Sequence, residues 1–258
     1  GGTLRFRVRK WIESMHARRF RNRIIVSEPM GGFVDSEYGE AAGEQLVLPC
    51  LVDLEKFPSV ADRQALRRSL GLDDRLIVAY VGTAAPWQCA AETVALFEQL
   101  IELVPDAFFW VFTPDQDRFR ALLTHIPEEN WRLEFCPHHE LAAYLSAADV
   151  GCLLRHRTIV NRVASPLKFP EYLACGLPVL IGPEVGHYSD MVRQERLGVV
   201  IDPDQPETWS RSIEEMQTVL ATSGVRERCR HRAQQLSWQA FLPQLQCSFS
   251  RTSRTAAE

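Results

Sequence analysis

The chain has 258 residues, 46% of them hydrophobic, and a formal net charge of −4: enough apolar material for one large core or two smaller ones, and no positive excess to draw nucleic acid. No run of about 18 apolar residues exists, which excludes a membrane-spanning helix, and no signal-peptide pattern is visible. Seven scattered cysteines (positions 50, 89, 136, 152, 175, 229 and 247) form no C-x-x-C pair, so reduced thiols and a cytoplasmic location are expected.

Residues 1–52 are expected to be the tail of an N-terminal domain and its linker. The segment LRFRVRKWIESMHARRFRNR holds eight basic residues between Arg5 and Arg23 against one glutamate, interleaved with Phe6, Trp11, Ile12, Met15 and Phe20. Its apolar spacing mixes strand-like and helix-like intervals, so it reads first as a solvated element, with peripheral contact to an anionic membrane surface as the alternative. RIIVSE (23–28) and QLVLP (45–49) read as isolated strands. PCLVDLEKFP (49–58) reads as an extended, proline-bounded crossing between domains.

Residues 53–258 are expected to form a second domain. LIVAYVG (76–82) is an unbroken apolar strand run, and ETVALFEQLIEL (92–103) repeats apolar residues at helical spacing. AFFWVFT (107–113) predicts a strand, followed by a helix from about Asp115, a strand at WRLEFC (131–136), a helix at ELAAYLSAA (140–148) and a strand at DVGCLL (149–154). LPVLIG (177–182) and LGVVID (197–202) predict two more strands, and helices from about Glu207 to Phe249 are broken near Ser223-Gly224 and Ser237. Strands without polar alternation, separated by helices, predict an α/β fold with a doubly wound, Rossmann-like parallel sheet.

The chemistry concentrates in SPLKFPEYLACGLPVLIG (165–182). Gly176 and Pro178 stop a helix near Cys175. Ser165 can cap that helix and Pro166 suits its start, but Pro170 forfeits a bond so early, so the first turn is kinked or the helix begins nearer Phe169. Lys168 and Glu171 then stand at a helix N-terminus on the carboxyl side of the sheet. A cation beside free N–H groups suits a phosphate there, and a carboxylate one turn later suits a ribose diol. The bland alternative is an exposed i,i+3 pair worth about 0.2–0.5 kcal/mol.

The pattern S-P-x-K-x-x-E-Y-L-A-x-G-x-P-V resembles the donor-site motif of retaining glycosyltransferases of family 4, which have two Rossmann-like halves with the active site between them. IIVS (24–27) with LPCLVDLEKF (48–57), YVGT (80–83) with Trp87, and LSAADVGCLL (145–154) are similar to further family segments in the same order. The resemblance runs from about residue 20 to about residue 245. It implies a nearly whole donor-binding half, with most of the acceptor half absent from this sequence.

It also implies a nucleoside-diphosphate sugar as co-substrate, a sugar or lipid-linked acceptor, no further cofactor and no metal. Gly82 and Thr83 would approach the diphosphate by backbone, Lys168 would pair with it, and Glu171 would hold the ribose hydroxyls, making these two the residues on which catalysis rests. Thr113, Pro137 and His138 would face the nucleobase, and Ser165 would complete the donor site. Two departures stand out. Val163 occupies the position, eight before Glu171, where many members carry a sugar-directed glutamate, and Thr83 and Gln88 stand where many carry basic residues. Arg155, Arg157 and Arg162 are the candidates to restore that charge. A nucleotide-binding module without transfer activity and a nucleotide-sugar epimerase are the alternative readings.

Other clusters point to less. Cys136, His138 and His139 lack a fourth ligand at zinc-like spacing, so no metal site is expected. His187, after Gly186, reads as an exposed loop histidine or as one facing the donor. The run Arg226–Arg232 reads as a solvated helix face.

Overall fold

The computed structural model describes residues 4–255 apart from 21, 59–61 and 73. Its N-terminal part comprises helix α1 (Leu4–Arg19), strand β1 (Arg23–Ile25), helix α2 (Glu28–Tyr38) and strand β2 (Gln45–Val47), the two strands pairing in parallel. The basic stretch of mixed spacing is therefore a single helix. No residue of α1 is buried, and Leu4, Phe6, Val8, Trp11, Ile12 and Met15 are exposed. It is tied to α2 by polar contacts: Lys10 Nζ donates to the Tyr38 hydroxyl (2.7 Å), which donates to Glu13 Oε2 (2.7 Å). The strand at RIIVSE stops early because Ser27 becomes the N-cap of α2, its hydroxyl accepting from the Met30 N–H (3.1 Å).

The larger unit alternates strand and helix. It begins with α3 (Arg63–Leu70), β3 (Leu76–Val81), α4 (Ala90–Leu103), β4 (Ala107–Phe112), α5 (Gln116–Leu122) and β5 (Trp131–Glu134). It continues with α6 (His138–Ala147), β6 (Val150–Leu153), α7 (Ile159–Arg162), α8 (Lys168–Ala174), β7 (Val179–Ile181), α9 (Tyr188–Glu195) and β8 (Gly198–Val200). Three helices close the chain: α10 (Trp209–Ala221), α11 (Val225–Gln235) and α12 (Trp238–Thr255), broken where the sequence places Ser223-Gly224 and Ser237. The six strands are all parallel, in the order β5-β4-β3-β6-β7-β8. From β3 the chain winds outward in one direction through β4 and β5, then returns and winds in the other through β6, β7 and β8.

Strand alternation sends side chains to two cores. Ile77, Ala79, Phe108, Trp110 and Phe112 pack on one face with Leu141 and Leu145 of α6, Phe169 and Tyr172 of α8, and Cys229 of α11. Val78, Tyr80, Phe109 and Val111 pack on the other with Val94 and Phe97 of α4, Phe119 of α5, and Ile213 and Met216 of α10. Both faces being covered is what removes polar alternation from these strands.

The crossing segment is pinned to the end of α11. The Val52 N–H donates to the Leu236 carbonyl (2.9 Å), and the Trp238 N–H donates to the Val52 carbonyl (3.3 Å). At the amino end of the sheet, Asp149 accepts from Arg63 (2.5 Å), Arg67 (3.0 Å) and the Ile77 N–H (2.8 Å). Arg63 and Arg67 also donate to carbonyls at the C-terminus of α6, the groups a helix leaves unpaired. The run Arg226–Arg232 corrects the sequence reading. Arg226 donates to the Ala148 and Cys175 carbonyls (both 3.0 Å), and Arg232 pairs with Glu195, so two of its arginines hold helices together.

Candidate active site

Strand order reverses between β3 and β6, and a doubly wound sheet opens its ligand crevice at the carboxyl ends of the strands flanking that reversal. β3 runs out into Gly82, and β6 runs out through Leu154 into Arg155. Gly82 has φ 156°, and a Cβ added there would collide with Lys168 Nζ and Gln88 Oε1. The absence of a side chain at Gly82 is what lets a cation reach this strand end.

Lys168 is the first residue of α8 and Leu167 its cap, so the helix starts one residue before the later of the two starts read from the sequence. Its Nζ donates to Gln88 Oε1 (2.5 Å) and lies 5.2 Å from the centroid of the Tyr80 ring. Gln88 is held in turn, its Nε2 donating to Thr83 Oγ1 (2.8 Å), while the Tyr80 hydroxyl donates to the Thr83 carbonyl (2.8 Å). Burial, and then the nearby Arg155, lower the Lys168 pKa to about 7. Arg155 is only 6% exposed, and among the described residues the one hydrogen bond of its side chain is a 3.4 Å contact with the Leu154 carbonyl. Among the described residues neither Lys168 nor Arg155 makes a salt bridge. Glu171 favours the Lys168 charge without forming an ion pair with it, and two neighbouring, desolvated cations in no salt bridge form an arrangement that costs free energy until an anion arrives.

Glu171, one turn along α8, is 4% exposed. Its Oε1 lies 2.6 Å from His138 Nε2, and burial raises its pKa while His138 opposes the rise. His138 opens α6 instead of lying in a loop, follows Pro137, and meets the Phe57 ring edge-on with centroids 5.8 Å apart. The bland reading of Lys168 and Glu171 as an exposed mutual pair is therefore overturned: each has a different partner, and the carboxylate is buried.

The remaining predicted residues divide. Thr113 is buried, and its hydroxyl accepts from the Asp115 N–H (3.0 Å), while Asp115 Oδ2 accepts from the Ala84 N–H (2.8 Å) and so ties the glycine loop to the end of β4. Ser165 does not cap α8. Its hydroxyl accepts from the Cys50 N–H (2.9 Å) and shares a hydrogen bond with the Tyr188 hydroxyl (2.8 Å), which joins the crossing segment to the start of α9. Ser27 adds a second tie by donating to the Val163 carbonyl (2.8 Å). Of the three arginine candidates, Arg157 and Arg162 bind the surface carboxylates Glu184 and Asp202, which leaves Arg155 as the one facing Lys168. His187 is half-buried against Tyr188, with ring centroids 4.5 Å apart. Sequence reasoning did not find Asp115 or the Gln88 acceptor role, because both depend on loops brought together by the sheet.

Residues 62–236 match the model of the family described as glycosyl transferases group 1. The chain belongs to that family. It is 27% identical over 237 residues to a D-inositol 3-phosphate glycosyltransferase of Geodermatophilus obscurus, covering 85% of this chain and 50% of that protein. Sucrose-phosphate synthase from Thermosynechococcus elongatus superposes with a TM-score of 0.76 at 23% identity, covering 98% of this chain and 63% of that one. Anabaena HepE, solved with UDP, superposes with a TM-score of 0.75 at 15% identity, covering 95% and 68%. The group 1 chain thus spans about half the length of the curated relative. Its six-stranded parallel sheet flanked by helices is the B-type glycosyltransferase architecture of these neighbours.

Proposed function

We propose that this chain is the donor-binding half of a retaining glycosyltransferase of family 4 that transfers a hexosyl group from a nucleoside-diphosphate sugar to an acceptor hydroxyl. Residues 1–52 are read as the tail of the acceptor-side domain and its linker, and 53–258 as the donor domain. The observation that carries the reading is the pair Arg155 and Lys168 at the switch point, neither in a salt bridge among the described residues, with Gly82 leaving room for the Lys168 ammonium. As the sugar–oxygen bond breaks, negative charge grows on the departing diphosphate, and preformed cations in a partly dehydrated crevice favour that charge most strongly in the transition state. Glu171 accepts the ribose hydroxyls, with His138 orienting it until the nucleotide arrives. The acceptor is a sugar or a lipid-linked sugar in the cytoplasm, and the exposed, basic helix α1 supports peripheral contact with an anionic membrane.

Val163, standing where many members carry a sugar-directed glutamate, favours a second reading as a binder without transfer. Release of sugar from the donor by the full-length protein separates the two, since a pure binder releases none. The binding reading itself is tested by calorimetry with uridine, guanosine and adenosine diphosphates and their nucleosides. Lys168→Ala is expected to weaken the preferred diphosphate by roughly 1.5–3 kcal/mol, about ten- to over a hundredfold, and the nucleoside hardly at all. Equal losses for both ligands would overturn the assignment of Lys168 to the phosphates.

A further inference from the structure

Beside the donor crevice lies a second group of chemistry-bearing side chains. Cys89 Sγ, a Glu92 carboxylate oxygen and a ring nitrogen of His156 lie within 4.8 Å of one another. His156 Nε2 is 3.0 Å from Glu92 Oε1, and its Nδ1 is 2.8 Å from Asp204 Oδ1. Three separate parts of the fold supply them: the start of α4 (Cys89 and Glu92), the segment after β6 (His156) and the segment after β8 (Asp204).

We propose that Cys89, Glu92 and His156 form a binding site for a zinc-like divalent cation, with Asp204 orienting the histidine from behind. The donor set of one sulfur, one imidazole nitrogen and one carboxylate oxygen suits a borderline cation such as Zn2+ and not Mg2+ or Ca2+, which prefer oxygen alone. Metal-bound histidines characteristically donate their second ring N–H to a carboxylate, which fixes the tautomer, and Asp204 stands in that place. Three protein ligands leave a fourth tetrahedral position for water. Bonds of about 2.0–2.3 Å put tetrahedral ligands roughly 3.3–3.8 Å apart, so the site closes by about 1.5 Å at most.

Two further observations fit. Cys89 sits at φ 49°, the left-handed region that non-glycine residues rarely adopt, and strain of this kind persists where a local requirement over-determines the backbone. Burial holds the free thiol protonated, with its pKa pushed up to about 12, so binding releases that proton to solvent as the sulfur–metal bond forms. His156 and Glu92 side chains are 28% and 32% exposed, which gives an ion an entry path. Cys89 follows Gln88, and His156 follows Arg155. A bound cation would therefore clasp together the two backbone segments that carry the crevice's polar groups, a role separate from the reading of those groups as nucleotide ligands.

The competing arrangement is metal-free, with His156 simply hydrogen-bonded between Glu92 and Asp204. Titration of the chelator-stripped, reduced chain with cobalt(II) alone distinguishes them. One ion per chain is expected, with a thiolate-to-cobalt charge-transfer band in the near ultraviolet that zinc abolishes by displacement. Cys89→Ser should remove the band while circular dichroism stays native, and Asp204→Asn should weaken binding about 10- to 100-fold. If Cys89→Ser fails to fold, Glu92→Gln takes its place, with weakened binding and a shifted visible spectrum expected. Absence of binding at millimolar cobalt, a band that survives Cys89→Ser, or native affinity in Asp204→Asn or Glu92→Gln would each overturn the site.

Discussion

At the amino end of the sheet, Arg63, Arg67 and Arg226 spend their N–H groups on Asp149 and on the carbonyls that end α6 and α8; at the carboxyl end, Arg155 is about as deeply buried as Arg67, but among the described residues its side chain has a single long bond, to its neighbour's carbonyl. The first group cements the fold, since every cation there answers an acceptor that folding would otherwise strand. The second is paid nothing by the protein, and Lys168 beside it makes the isolation worse. A buried cation that the fold does not use is a cation held for something else.

The largest expected effect separates the two ends. Arg67→Met breaks a buried pair and strands carbonyls, and should cost about 3–5 kcal/mol in urea denaturation. Arg155→Met removes an unpaired charge and should be neutral or stabilising in the same experiment, while weakening nucleoside diphosphate binding at least tenfold. Equal destabilisation by both substitutions would break the comparison.

A smaller effect follows from the lowered pKa of Lys168. The free ammonium loses its proton near pH 7, and a bound diphosphate raises its pKa again, so above pH 7 the protein must take up a proton to bind. Affinity should therefore fall with rising pH, roughly fivefold between pH 7 and 8 for a single group. The groups facing Lys168 are Gln88, Tyr80, Arg155, Glu171 and Cys152, of which Tyr80 and Cys152 have pKa values raised by burial and stay neutral across this range. Lys168→Arg should flatten the profile. A slope that survives this substitution would assign the titration to another group.

The smallest effect belongs to the exposed arginines. Arg157 binds Asp202 and Glu184 at a surface where its side chain is 46% exposed, so Arg157→Ala should cost less than about 1 kcal/mol and leave nucleotide affinity unchanged. A loss of affinity matching that of Arg155→Met would move the restored positive charge to the wrong arginine and end the contrast between buried and surface cations.

The sequence by itself determined the parallel sheet, because unbroken apolar runs such as LIVAYVG and AFFWVFT only make sense with helices on both faces. It also determined where α8 stops, since Gly176 and Pro178 act locally, and it marked Lys168 and Glu171 by their spacing on one short helix. Local chemistry is legible in order along the chain. It left α1 ambiguous, because no buried face imposes a single period on that helix, and it left three arginines as equal candidates.

Only the tertiary structure decided among them, because the burial and pairing of Arg155, Arg157 and Arg162 depend on Glu184, Asp202 and the ends of strands distant in sequence. The same holds for Ser165, whose hydroxyl turns to Cys50 and Tyr188 instead of capping α8, and for His138, which reaches Glu171 across 33 positions. Cys89, Glu92, His156 and Asp204 carry no ligand spacing that a linear reading could detect. Their proximity arises because β3, β6 and β8 all end at one edge of the sheet, and the loops that follow have only that edge on which to meet.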